Sequence, residues 1–177
     1  MRGMNAAILV FASISMFRMG GDIDLAEAPN GAVLRTMGGD IRVSRGAGKI
    51  VAKTMGGDID LDALAGSADA GTMGGEIRVT VIGAGGGHQL ELHSLGGDIE
   101  VTLPRDFDGD FSVELQEDDS HHAHRISSDF PLDVRESTRW RLFQGNRTVH
   151  TATGRSGAGI NRVRITTIGS NITIRRK

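Results

Sequence analysis

The stretch MGGDIDLAEAPNGAVLRTMGGDIRVSRGAGKIVAKTMGGDID, residues 19–60, carries one five-residue string three times. The string and its variants MGGEI and LGGDI begin at Met19, Met37, Met55, Met73 and Leu95. The intervals between them are 18, 18, 18 and 22 residues. A regular interval of this length is typical of repeat proteins, in which each unit packs on the next.

Two short strands are predicted in every repeat. Apolar residues two apart follow each glycine pair, as in Ile41 and Val43, and a period of two is the signature of a β-strand. A second strand-like segment follows in each unit, at residues 32–35, 49–53, 67–70 and 89–93. The glycine pairs predict turns in which φ is positive or two backbones approach closely.

The repeats are predicted to stack as a right-handed parallel β-solenoid with 18-residue rungs. In this all-β fold, residue i lies about 4.8 Å from residue i+18. The residue after the repeated isoleucine alternates in sign, so stacking in register places each charge beside charges of opposite sign. The alternating residues are Asp24, Arg42, Asp60, Arg78 and Glu100. Four extra residues in the last interval coincide with residues 83–87 and are predicted to bulge from a turn.

Three further columns recur at the same interval. The acidic column is Asp22, Asp40, Asp58, Glu76 and Asp98. Its carboxylates are expected to accept hydrogen bonds from the backbone of the neighbouring turn; the alternative, a row of calcium ligands, lacks the period of nine found in calcium-binding repeats. The hydroxyl column, Thr36, Thr54, Thr72 and Ser94, predicts a ladder between strands.

The third column contains the methionines that begin the repeats and ends in Leu95. Aromatic residues make up only 4% of the chain, so the core is expected to consist of Ile, Val, Leu and Met. Methionine is a flexible side chain that fills irregular gaps. We therefore interpret this column as core filling rather than as a cofactor site.

Residues 18–177 are predicted to form a single domain. Its parts are regular repeats at 18–103, an irregular β-rich insert at 104–153 and a final rung at 154–177. Within the insert, strands are expected around Val113 and at 126–134, the latter bent or at an edge because of Pro131. Gly145 and Asn146 favour a type II′ hairpin. The insert is expected to cover the end or side of the stack as a cap, since bare strand edges invite aggregation.

Residues 1–17 allow more than one interpretation. Arg2 precedes an apolar run at 6–17, with Ser13 and Ser15 spaced as a signal peptidase site requires. The run is shorter than the roughly 20 residues of a membrane span. It is a signal peptide, or a first β-strand, or the consequence of a start codon placed inside a longer gene. The first reading places the protein in the cell envelope or outside the cell; the cytoplasm is the alternative.

Candidate chemistry is concentrated in the polar stretch 117–125, which contains Asp118, Asp119, His121, His122 and His124. Two imidazoles and a carboxylate could hold zinc or nickel, yet structural zinc sites usually take four ligands from a defined scaffold, so a solvated loop is favoured. Ser120 precedes the histidines without the spacing of a nucleophile elbow or triad. The repeated glycines precede strands rather than helices, which excludes a Rossmann fingerprint. There is no cysteine, and hence no disulfide framework.

These observations assign no catalytic, cofactor-binding or metal-binding residue and predict no cofactor. We expect a protein that is not an enzyme. Cleavage of an acidic polysaccharide by clustered carboxylates is the enzymatic alternative.

The sequence also resembles a bacterial adhesin family, classed as a domain of unknown function with glycine-rich GGDI-type β-repeats. The resemblance rests on the repeats and on GGDIEVTLP (96–104), ISSDFPLDV (126–134) and GINRVRITTIGSNITIRR (159–176), and it extends over residues 18–177. It implies a β-solenoid-like fold, a role at the cell envelope and no catalytic residues.

The leading functional prediction is a non-enzymatic β-solenoid that presents a flat, repetitive face for adhesion or envelope scaffolding. Its partner is expected to be a surface or envelope component, a protein or a polysaccharide. A filament-forming scaffold, self-associated end to end, is the alternative. The basic tail Arg175, Arg176 and Lys177 lacks the interleaved aromatic residues of nucleic-acid-binding proteins, so no nucleic acid is expected. Contact of this tail with an anionic membrane surface or wall polymer is a further alternative.

Overall fold

The computed structural model describes residues 13–83, 86–117, 124–141 and 145–177, and within them the protein is all-β, with sixteen strands and no helix. The repeat strands are β1 Ile14–Phe17, β2 Ile23–Ala28, β3 Ala32–Arg35, β4 Ile41–Gly46, β5 Lys49–Lys53, β6 Ile59–Leu64, β7 Ser67–Thr72, β8 Ile77–Val81, β9 Gln89–Ser94 and β10 Ile99–Leu103. The later strands are β11 Gly109–Glu117, β12 Ile126–Ser128, β13 Asp133–Arg141, β14 Gly145–Ser156, β15 Asn161–Ile168 and β16 Ile172–Arg176.

Along the repeats the chain passes from one sheet to the other at every turn. Odd-numbered strands lie in a nine-stranded sheet of order β1-β3-β5-β7-β9-β15-β11-β14-β13, and even-numbered strands β2 to β10 lie in a seven-stranded sheet of order β12-β16-β10-β8-β6-β4-β2. Neighbouring repeat strands run parallel. Both strands predicted in each repeat are therefore present.

The predicted register is confirmed. Ile23 pairs with Ile41, and Ile41 pairs with Ile59, each 18 residues further along the chain. Ile77 pairs with Ile99 at an offset of 22 residues. The four extra residues are thus accommodated between β8 and β9, as the glycine-rich run indicated.

The inner faces of the two sheets form the core. The isoleucines that begin β2, β4, β6, β8 and β10 are at most 1% exposed, and Leu34 and Leu92 on the opposite sheet are fully buried. Burial of one such side chain stabilises the fold by about 1.5–3 kcal/mol. Alternate residues point outward, which is why a period of two in the sequence identified the strands.

From the second repeat onward, the second glycine of each pair is required by a close approach of two backbones, whereas Gly21 in the first repeat has open space at its Cβ and a φ of 86°. A Cβ on Gly57 would lie 2.1 Å from the carbonyl oxygen of Gly39, and one on Gly39 would lie 2.2 Å from that of Gly21. Gly75 and Gly97 meet the preceding unit in the same way. The first glycines differ, because a Cβ on Gly56 would meet nothing within 4 Å.

The methionine column does not lie in the core. Met37, Met55 and Met73 are 46%, 49% and 51% exposed, so the prediction that they fill the core is wrong. Each is the first residue of the bend between two strands and directly follows a buried threonine: Thr36, Thr54 or Thr72. Aromatic residues contribute to the core at the other end of the stack, where the ring of Phe111 lies 6.2 Å from that of Phe107 and 5.1 Å from that of Phe130.

The final strands do not occupy the end of the stack. β15 inserts between β9 and β11, and β16 inserts between β10 and β12. Both are parallel to their neighbours, with Val163 paired to Leu90 and Ile172 paired to Ile99. The insert strands β11 and β12 therefore form the layer beyond them, and β14 and β13 extend the nine-stranded sheet in antiparallel pairing.

Two details of the insert differ from expectation or refine it. Arg141 pairs with Gly145 and Trp140 pairs with Asn146, so Gly145 and Asn146 belong to β14 rather than to the turn as predicted. The connection spans residues 142–144, which lie outside the described residues. Pro131 separates β12 from β13 at edges of different sheets, in agreement with the predicted bend.

The N-terminal segment contributes a strand to the sheet. β1 pairs in parallel with β3, Ile14 lying beside Ala32 at the 18-residue offset. The first-strand interpretation therefore holds for residues 14–17. The signal-peptide prediction covers residues 1–17, of which residues 1–12 are outside the described part of the chain.

Alanine substitutions made singly at two adjacent glycines should show whether glycine is needed for the close approach of two backbones or only for the flexibility of the turn. Gly57→Ala forces two backbones apart and is expected to lower the free energy of unfolding by about 2 kcal/mol or more. Gly56→Ala, with open space at its Cβ, should change it by no more than about 0.5 kcal/mol. Urea unfolding followed by circular dichroism measures both; equal effects of the two substitutions would contradict the stacking contact.

Candidate functional site

The acidic column connects successive units through backbone amides. Each carboxylate oxygen accepts a hydrogen bond from the amide of the acidic residue in the next unit. The pairs are Asp40 N–H to Asp22 Oδ1 (3.0 Å), Asp58 N–H to Asp40 Oδ1 (2.9 Å) and Glu76 N–H to Asp58 Oδ1 (2.8 Å). Asp98 Oδ1 accepts from Asn171 N–H at 2.8 Å. The structural interpretation of this column is confirmed.

Glu76 is the exception in the acidic column. Its side chain is one methylene longer than that of aspartate, and it pairs with the guanidinium of Arg78 on the outer face of the sheet. Among the described residues, no three His, Cys, Asp or Glu side chains form a group that could hold a metal ion.

The hydroxyl column is satisfied by glycine carbonyls of the preceding unit. Thr54 Oγ1 donates to Gly39 O at 2.9 Å and accepts from Gly57 N–H at 3.3 Å. Thr36 and Thr72 donate in the same way. The column is structural, as expected, but its hydroxyls alternate with glycine backbone groups instead of bonding to one another.

Thr167 continues this column in β15 and differs from it. It pairs with Ser94, is fully buried, and its Oγ1 has no hydrogen-bond partner among the described residues. Ser170 occupies the position of the second glycine in this unit.

The outer face of the seven-stranded sheet carries the column of alternating charge. Asp24 pairs with Arg42, Arg42 with Asp60, and Asp60 with Arg78, so the predicted alternation is present in register. The Arg42 guanidinium lies 3.9 Å from Asp24 and 3.5 Å from Asp60. Asp40, 3.0 Å away, is the main cause of the raised pKa of Arg42.

These ion pairs are exposed, and each contributes at most about 1 kcal/mol. They disfavour a shifted register more than they hold the sheet together. Beyond Glu100, the position in register on β16 is Thr173, and Arg175, two residues further along, places its Nε 3.2 Å from the Glu100 carboxylate. Between β8, β10 and β16 the outer face contains a depression of about 220 Å³. Its lining residues include Glu76, Arg78, Asp98, Glu100, Thr173 and Arg175. The depression therefore presents both acidic and basic side chains to the solvent.

Most of the candidate metal loop lies outside the described residues. Asp118, Asp119, His121 and His122 fall within residues 118–123, as does Ser120.

The two ends of this loop are described. The backbone N–H of His124 donates to Glu117 Oε1 at 2.7 Å, and Glu117 Oε2 lies 3.2 Å from His150 Nε2. The sequence did not indicate the pair of Glu117 and His150, because His150 reaches it from the antiparallel neighbour β14.

The carboxylate of Asp108, in the acidic turn before β11, holds the chain at the start of β15. It accepts from the backbone N–H groups of Ala158, Gly159 and Ile160. The bond from Ala158 is the main reason that the pKa of Asp108 is lowered from 3.8, and the Arg155 guanidinium lowers it further. The Asp108 carboxylate is therefore engaged in hydrogen bonds that stabilise the fold.

Comparison of the chain with protein-family models, with curated proteins and with solved structures found no match. The resemblance to the adhesin family therefore stays a prediction that rests on the quoted motifs. Within the described ranges, no helix has the length and apolar character needed to cross a membrane.

Removal of one carboxylate of the acidic column should weaken the contact between two units. Asp58→Ala deletes the acceptor of the Glu76 amide and is expected to lower the free energy of unfolding by about 1 kcal/mol. Asp62→Ala, at an exposed position of β6, the strand that follows Asp58, is the matched control and should be nearly neutral. Chemical denaturation measures the difference, and a neutral Asp58→Ala would contradict a stabilising role for the ladder.

The Asp108 contact should make stability dependent on pH. A carboxyl group with a lowered pKa in the folded state stabilises the fold above its unfolded pKa, and this contribution is lost as the pH falls through the folded value. Asp108→Asn should therefore lower Tm at pH 7, and its difference from the parent protein should shrink below pH 3.8. Asp106→Asn, on an exposed side chain, serves as control. A difference that persists unchanged at pH 2 would exclude this role of the carboxylate.

Proposed function

We propose that the protein is a right-handed parallel β-solenoid with 18-residue rungs and that it acts without catalysis as an adhesion or scaffold module of the cell envelope or cell surface. The observation that carries this proposal is the in-register column of alternating charge on the outer face of the seven-stranded sheet. A scaffold of stacked units presents one outward group at every strand, about 4.8 Å apart, and in this column acidic and basic groups alternate.

A repeated face of this kind suits an extended partner better than a small molecule. The depression beside Glu100 and Arg175 is lined mainly by charged and polar groups, whereas sites for small ligands are usually largely apolar. A polysaccharide or an extended protein segment can contact several units at once, so weak contacts add up to useful avidity. Such binding depends on charge and should weaken with salt.

End-to-end assembly into filaments is less favoured by the arrangement of the later strands. At the far edge of the nine-stranded sheet, β14 and β13 pair in antiparallel orientation. A second copy stacked on this edge would not continue the parallel pairing of the repeats. A covered end of this type is what solenoids use to prevent edge association.

The location is tested by expression of the full chain with a C-terminal tag in a bacterial host, followed by fractionation and protease treatment of intact cells. We expect the tag in the envelope fraction and accessible to protease. Recovery in the soluble cytoplasmic fraction alone would contradict the envelope role.

Binding is tested separately with the purified chain and isolated cell envelopes in a sedimentation assay. Arg42→Gln with Arg78→Gln removes two outward cations and should reduce the bound fraction several-fold. Lys49→Gln, at an exposed position of the other sheet, is the matched control, and circular dichroism checks the fold of each variant. Binding that is absent in the parent chain, or equal in all variants, would contradict a role of this face.

A further inference from the structure

Four methionines stand in one row on the surface of the repeats. Met19, Met37, Met55 and Met73 are 79%, 46%, 49% and 51% exposed, and Leu95 continues the row at 51%. Large apolar side chains at surface positions are ordinary when they are scattered singly. A row of the same residue at the same position of consecutive units calls for another explanation.

The row is held at strand spacing by hydrogen bonds on both sides. Before Met37, the amide of Thr36 donates to Lys53 O at 3.0 Å; before Met55, the amide of Thr54 donates to Gly71 O at 3.0 Å. After the glycine pairs, Ile41 N–H donates to Asp58 O at 2.8 Å. Consecutive methionines are therefore fixed at about 4.8 Å from one another along the stack.

The glycines that follow Met19, Met37 and Met55 have no steric cause in the fold. A Cβ on Gly20, Gly38 or Gly56 would meet nothing within 4 Å, and φ is not positive at any of the three. A Cβ on Gly74, after Met73, would meet only Met55 O at 3.9 Å, an ordinary van der Waals distance. The repetition of this first glycine leaves an open strip of bare backbone beside the thioethers.

We propose that the methionine row is a binding site for a soft monovalent metal ion, Cu(I) or its analogue Ag(I). Thioether sulfur is a soft ligand that selects Cu(I) over Zn²⁺, Ca²⁺ and Mg²⁺. With a metal–sulfur bond of about 2.3 Å, the value typical of zinc-bound sulfur, two opposed sulfurs span about 4.6 Å. This span matches the spacing of about 4.8 Å between consecutive strands.

A third thioether completes the site without movement of the backbone. Methionine has three rotatable side-chain bonds and no branch, so the outer two members of a consecutive trio can swing toward the middle one. Met37, Met55 and Met73 form such a trio with nearly equal exposure. The open glycine strip gives the ion access to the row.

The neighbouring acidic column adds attraction for a cation at Asp58. Asp40 and Asp58 lie three residues after Met37 and Met55 at the same corner of the stack, and each uses one carboxylate oxygen for a backbone amide of the next unit. Asp40 is also paired with Arg42, so the charge of Asp58 is the one that raises the local concentration of cations. Hard oxygen ligands alone would favour calcium or magnesium, so the thioethers determine the choice of metal.

The test uses the full chain, anaerobic Cu(I) and a chromophoric Cu(I) chelator as competitor. The parent protein is expected to withdraw at least one Cu(I) per chain from the chelator. The variant Met37→Leu/Met55→Leu/Met73→Leu should bind at least tenfold more weakly, because leucine keeps the apolar volume and removes the sulfur. Met16→Leu, in β1 and outside the row, is the matched control, and Leu95→Met extends the row and should strengthen binding or raise the stoichiometry.

Ag(I) titration of protein with isotope-labelled methionine methyl groups locates the site independently. Signals of Met37, Met55 and Met73 should shift, while that of Met16 should not. The proposal is overturned if the parent chain fails to compete for Cu(I), if the triple leucine variant retains its affinity, or if Zn²⁺ binds equally well. Single leucine substitutions provide the same comparison if the triple variant does not fold.

Discussion

The close approach of consecutive second glycines is the contact on which the stacking of the repeats depends. Because no Cβ separates Gly57 from the carbonyl of Gly39, one turn settles directly on the previous one. The same approach brings the Asp58 amide to the Asp40 carboxylate and the Thr54 hydroxyl to the Gly39 carbonyl. One steric requirement thus places two polar ladders at each turn, and the ladders in turn fix the register of the strands on either side.

Much of the repeat region could be predicted because its signals are local or strictly periodic. The interval of 18 residues identified Ile23 and Ile41 as neighbours, and the spacing of two identified the strands. The exposure of Met37 could not be predicted in the same way. Met37 lies at the start of a bend, where the alternation of inward and outward side chains along a strand no longer applies. The function of the acidic column was foreseen because aspartate beside glycine is a common acceptor for turn amides.

The later strands were harder to place because their positions depend on contacts between distant parts of the chain. No local pattern indicates that β15 lies between β9 and β11. Gly145 and Asn146 have the composition of a turn, although they belong to β14 and pair with β13. Where the chain enters β15, the carboxylate of Asp108 accepts hydrogen bonds from the backbone N–H groups of Ala158 and Ile160. Together these contacts join the insert to the repeats through a layer built from the last strands of the chain.

The most direct test of the stacking is disulfide cross-linking at chosen intervals, which is clean because the chain has no cysteine of its own. Cysteines at Val33 and Val51, paired in adjacent strands, should lie within the Cα separation of at most about 7 Å that a disulfide requires. Cysteines at Val33 and Asp69, two strands apart, lie at about twice the strand spacing, or roughly 9.6 Å. Mild oxidation with diamide should close the first pair in the folded protein and leave the second open, as seen by electrophoretic mobility. Efficient closure of the second pair, or failure of the first, would contradict stacking at 18-residue intervals.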